Sequence, residues 1–161
     1  MTLSKRAHQV EPSVTLATAA KAKALKAQGV DVLSLTVGEP DFITPENIRQ
    51  AAIQAIENGK ASFYTPTAGI PELREAILRY LQEFYGVTYE TKQVIVTDGA
   101  KFALYALFQA VIDPADEVII PVPYWVSYAE QVKLAGGHPV FVEASETEQF
   151  KVTVSQLEAA R

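Results

Sequence analysis

The sequence contains no cysteine. That excludes a disulfide framework, a thiolate metal site and a cysteine nucleophile. Histidine is almost as scarce: His8 and His138 are the only two, far apart and in no metal-ligand spacing, so no metal centre is expected. No apolar run approaches the roughly 18 residues of a membrane-spanning helix. The opening stretch, Met1 to Arg6, leads into His8-Gln-Val-Glu-Pro12 rather than the apolar core of a secretory signal. A cytoplasmic protein with no membrane partner is the expectation. Positive charge is not in excess either: 14 Lys and Arg stand against 19 Asp and Glu, a net charge of −5. General binding to a nucleic-acid backbone is therefore not expected, although local geometry can still build an anion site. No Gly-x-Ser-x-Gly elbow, phosphate loop ending in Gly-Lys-Ser/Thr, or G-x-G-x-x-G fingerprint occurs.

What is present is a globular composition, 48% hydrophobic and 20% charged over 161 residues. A chain of this length makes one domain or part of a larger one, and can bury roughly 68–70% of its unfolded surface. Helix formers from Val14 to Gln28 follow Ser13 and stop at Gly29. Val32–Thr36 alternates like a short strand. Thr44-Pro45 predicts an N-cap and first helical residue for a helix to about Asn58-Gly59. Leu73, Ile77, Leu78, Leu81 and Phe84 keep helical spacing between Pro71 and Tyr85, before Gly86.

Val94-Ile-Val-Thr97 predicts a strand, Asp98-Gly99 a turn, and Ala100–Ile112 a helix apolar enough to be buried against a sheet. Strand Glu117–Pro121, helix Ser127–Leu134 with Gly136-Gly137 behind it, and strand Pro139–Val142 follow. Alternating apolar strands and helices imply an α/β fold with a largely parallel sheet. Ser155-Gln-Leu-Glu158 is a capping-box pattern that should open a helix, yet only Glu158-Ala-Ala-Arg161 follows Leu157. The chain is therefore expected to be a piece of a longer protein.

Three segments are candidates for chemistry. In Val94–Lys101 a strand, a glycine turn and a helix start succeed one another. The first-turn amides of a helix and its dipole favour a phosphate, Gly99 allows close approach, and Lys101 supplies a cation where a helix otherwise disfavours one. A capped helix with a solvated lysine is the plainer alternative. Pro121–Tyr128 lies at the C-terminal end of a strand, where open α/β sheets bind ligands. Its Trp125 could be a stacking platform for a planar ring, or simply packing. In Leu35–Phe42, Gly-Glu-Pro is turn chemistry in which Gly38 could present an N–H to a carboxylate.

Together these segments resemble the class I aminotransferases that use pyridoxal phosphate, and within them the aspartate aminotransferase subgroup. The resemblance rests on Pro12-Ser-Val-Thr15, Leu35–Phe42, Tyr64-Thr-Pro-Thr-Ala-Gly-Ile-Pro-Glu-Leu-Arg74, Val96–Lys101 and Asp116–Tyr128, in the family's order over almost the whole chain. It implies the N-terminal portion of the fold type I architecture. Residues 1–43 would be the N-terminal arm and part of the small domain, and 44–161 the first part of the large cofactor-binding domain.

The implied roles are specific. Gly99, Ala100 and Lys101 would hold the cofactor phosphate, Trp125 would stack on the pyridine ring, and Tyr64 would reach the phosphate of the neighbouring subunit in a homodimer. Gly38 would meet the substrate α-carboxylate. Lys101, with Ser13 or Thr15 of the partner's arm, could meet the distal carboxylate of an acidic substrate. Glu11 stands where subgroup members acting on prephenate carry a lysine, which speaks against prephenate.

The family's Schiff-base lysine and its α-carboxylate arginine would lie beyond Arg161, so no catalytic residue is assigned within this chain. The implied activity is transfer of an amino group from an amino acid, aspartate first, to a 2-oxo acid. Alone, the chain is expected to be inactive and poorly stable or associating. The alternative is a phosphate-binding or dimerisation module without chemistry of its own.

Overall fold

The computed structural model describes residues 2–36 and 38–161. Its helices are α1 (Lys5–His8), α2 (Val14–Ala27), α3 (Glu46–Glu57), α4 (Pro71–Tyr85), α5 (Gly99–Val111), α6 (Ser127–Ala135) and α7 (Val154–Ala159). Among the described residues, two strands, β1 (Glu117–Val122) and β2 (His138–Glu143), complete the regular structure with short 3₁₀ turns at Thr91–Gln93 and Glu146–Glu148. No helix among the described residues is long and apolar enough to cross a membrane. Gly38–Asp98 forms one compact unit, and the segments on either side of it form the other.

The flanking unit is built on β1 and β2. Val118-Ile-Ile120 and Val140-Phe-Val142 are β-branched and aromatic, which suits a pleated surface. They pair in parallel, from Glu117 opposite His138 to Val122 opposite Glu143. Parallel neighbours need a crossover, and α6 supplies it. Ile120, Ala129 and Val132 are buried between strand and helix, with Phe108, Ile112, Val118 and Tyr128 packed around them. The α6 C-cap is Gly136, in the left-handed region at φ +95°. At Gly137 an added Cβ would stand 2.8 Å from Ile112 Cγ2 and 3.1 Å from the Asp116 carbonyl oxygen. Only glycine fits that crossing of helix end and strand start.

In the other unit, α4 starts with Pro71 at its first turn and ends on Gly86 at φ +67°. Arg74 on α4 donates through Nε to the Val94 carbonyl at 2.9 Å and through a terminal nitrogen to the Thr91 carbonyl. The amide of Val96 donates to the Ala68 carbonyl at 3.0 Å.

Several expectations need correction. Val32–Thr36 and Val94–Thr97 are not strands. Strand propensity forms a ladder only against a neighbouring strand, and the Val94 backbone is instead held by the Arg74 guanidinium. Thr44 is not the cap of α3; Pro45 is, and its carbonyl accepts from Ile48 and Arg49. The cap of α7 is Thr153, paired with Gln156 in a capping box two residues ahead of the expected Ser155. Helix α5 is not buried. Leu104 and Phe108, continued by Ile112 just past the helix end, make one inward stripe, while Phe102 and Leu107 are each 51% exposed.

The accessible surface is 13350 Å², about 1.7 times the ~7,900 Å² of a self-contained monomer of this mass. The chain covers little of its own apolar surface. Gly137→Ala is expected to destabilise the flanking unit by about 1–3 kcal/mol, since backbone and branched side chains must move to admit one methyl. Urea denaturation of the two proteins measures it.

Candidate functional site

Two lengths set the site. Helix α5 has 13 residues, about 20 Å of axis at 1.5 Å each. Strand β1 has 6 residues, again about 20 Å at 3.3 Å each. A tight connection joins them: the Asp113 amide donates to Asp116 Oδ2 at 2.8 Å, and the Asp116 amide to the Asp113 carbonyl at 3.1 Å. The chain therefore doubles back over an equal distance, and the first turn of α5 comes level with the end of β1.

Side chains show that meeting directly. Lys101, in the first turn of α5, holds its Nζ 4.7 Å from the ring centroid of Trp125, three residues past β1. Among the described residues Lys101 makes no ion pair. A cation in a helix's first turn opposes the helix dipole. The indole face offsets that by cation–π attraction, and the charge stays available to an anion.

Trp125 is itself held in place. The Tyr128 ring meets it edge-on, with centroids 5.4 Å apart and planes at 82°. Tyr124 stacks on Phe141 of β2 at 5.2 Å, anchoring the loop that carries the indole. Trp125 stays 42% exposed. It borders an open hollow of about 500 Å³ lined also by Ile120, Pro121, Pro123, Tyr124 and Tyr128.

Gly99 opens α5 at φ +81°, with nothing within 4 Å of where a Cβ would stand. A backbone conformation suited to glycine, open space beside it, a cation two residues on in the same turn and a half-open aromatic face nearby fit a group with a phosphate at one end and a planar ring at the other. The anticipated residues Gly99, Ala100, Lys101 and Trp125 are thus brought together. Ser13 is half-buried and caps α2, its Oγ accepting from the Leu16 amide at 3.3 Å. Thr15 is exposed in the first turn of that helix. Gly38 and Tyr64 belong to the other unit, where both are exposed and Gly38 has open space around it.

Two supports of the site, Phe141 and Gln131, are not among the residues expected from the sequence. Phe141 lies in β2 and reaches the loop only through strand pairing. Gln131 is a polar residue among the buried positions of α6, and that irregularity was the available signal.

Residues 30–161 match the family model described as Aminotransferase class I and II, and the chain belongs to that family. It is 60% identical over 159 residues to the asparagine–oxo-acid transaminase of Streptococcus mutans, covering 99% of this chain and 40% of that protein. It is 54% identical over 160 residues to the aspartate aminotransferase of Geobacillus stearothermophilus, with the same coverage. The structure superposes on the aspartate aminotransferase of Thermus thermophilus with maleate at a TM-score of 0.95 and 47% identity, covering all of this chain and 42% of that one. The chain thus spans about 40% of the length of the curated relatives it matches. Its architecture is the corresponding α/β portion of that fold, with a parallel sheet and flanking helices.

The Lys101–Trp125 contact can be checked in isolation, because Trp125 is the lone tryptophan. Lys101→Met should shift the indole emission while changing stability by only about 0.5–1 kcal/mol, the worth of an exposed cation–π pair. An unchanged emission spectrum would mean that the two side chains do not meet in solution.

Proposed function

We propose that this chain supplies the phosphate and ring platform of a pyridoxal-phosphate-dependent aminotransferase that moves an amino group from an amino acid, aspartate first, to a 2-oxo acid. The observation that carries this reading is the junction of α5 and β1, where Lys101 stands 4.7 Å from the half-open face of Trp125. When bound, the cofactor would act as an electron sink for the amino acid's α-carbon. The first turn of α5 would bind its phosphate through the Ala100 and Lys101 amides and the Lys101 ammonium, with Gly99 allowing close approach. Trp125 would orient the ring and keep water from that face. Gly38 would present its N–H to the substrate α-carboxylate.

The names of the relatives support aspartate or asparagine as the donor class. Homodimerisation belongs to the same reading, with Tyr64 reaching the partner's phosphate and Ser13 or Thr15 joining Lys101 at a distal carboxylate. Arm and small-domain roles for residues 1–43, large-domain roles for 44–161, and a cytoplasmic setting complete it.

The test is non-covalent binding of pyridoxal phosphate by the chain, followed by the cofactor's own absorbance. Trp125→Ala should weaken it by about 0.5–1.5 kcal/mol, the worth of an aromatic stack. Lys101→Ala should cost about 1.5–3 kcal/mol, as for a hydrogen bond to a charged group. Pyridoxal without phosphate should bind poorly. Wild-type affinity in both variants would sink the assignment. Equal competition by inorganic phosphate, with no loss in Trp125→Ala, would favour a phosphate-binding module without chemistry.

A further inference from the structure

Gln131 is 6% exposed, on α6 between the buried Ala129 and Val132. Its Nε2 donates to the Lys101 carbonyl at 2.9 Å, across from α6 to the first turn of α5. Its Oε1 has no hydrogen-bond partner among the described residues. A buried amide with only one half satisfied costs stability, and an apolar side chain of the same size is often neutral or better. Stability alone therefore does not explain a glutamine here.

Placement does. Phe108 of α5 and Ile112 just past its end pack against the cluster of Ile120, Ala129 and Val132, but such apolar contacts are non-directional and set no axial position. A hydrogen bond to one chosen carbonyl does. Tyr128 lies three residues before Gln131, on the same helix face, and presses edge-on against Trp125. One face of α6 thus grips both halves of the candidate site: the indole through Tyr128 and the lysine's backbone through Gln131.

We infer that Gln131 is a positioning residue, which sets the first turn of α5 against the Trp125 loop so that Lys101 faces the indole. Its consequence for ligand binding rests on the cofactor reading proposed above. Gln131→Met keeps the length and removes the donor. In the 161-residue chain, the single indole N–H resonance of Trp125 should move, while the melting temperature stays level or rises. Affinity for pyridoxal phosphate should fall about fivefold, the weight of one net hydrogen bond.

Gln131→Asn, which retracts the amide by one methylene, gives the same readouts should the methionine variant not fold. An unmoved resonance overturns the inference, and a lowered melting temperature with that resonance unmoved assigns Gln131 to ordinary packing. So does a moved resonance with undiminished affinity in a wild-type chain that binds the cofactor. A wild-type chain that takes up no pyridoxal phosphate, with the resonance moved by Gln131→Met, upholds the positioning and refutes the cofactor reading instead.

Discussion

Parallel pairing of β1 with β2 is the constraint on which the rest of the flanking unit depends. Antiparallel strands can be joined by a two-residue turn, whereas parallel ones require the chain to travel back along the sheet. Here that return is α6, and its buried side is the core: Ala129 and Val132 against Ile120. Because the return begins at the C-terminal end of β1, the Pro123–Val126 loop must sit at that end. The equal lengths of α5 and β1 then bring a helix start to the same place. The site is a consequence of connectivity before it is a matter of side-chain chemistry.

Chemistry enters where local preferences are overridden. A lysine in the first turn of a helix opposes the helix dipole, and an indole left almost half exposed keeps apolar surface in water. At the α5–β1 junction the two features meet, 4.7 Å apart, beside a glycine in a left-handed conformation. Departures of this kind concentrate where a ligand supplies the missing partner. The exposed apolar surface elsewhere has a different meaning. Phe102 and Leu107 on α5 face outward with little to cover them, in a chain two-fifths the length of its relatives.

Much of this was legible in the residues. Pro71 and Gly86 bracket α4, Ser13 caps α2, and Gly136 ends α6, because each residue acts within one turn of its own backbone. The lone Trp125 and the Gly99–Lys101 turn were visible as candidates for the same reason. What could not be read depends on partners distant in sequence. Val94–Thr97 has the composition of a strand, but its first carbonyl is taken by Arg74, twenty residues earlier. The apolar circumference of α5 implied burial that only other elements could provide. Phe141 stiffens the Tyr124 loop across a strand pairing that no local pattern reveals.

In the proposed function, the turn opening α5 and the indole beyond β1 hold one ligand between them. A crystal structure of the protein with pyridoxal phosphate tests it most directly. Phosphate density is expected against the Ala100 and Lys101 amides, with the pyridine ring lying on the exposed face of Trp125. A phosphate bound elsewhere, or a ring held away from the indole, would contradict it.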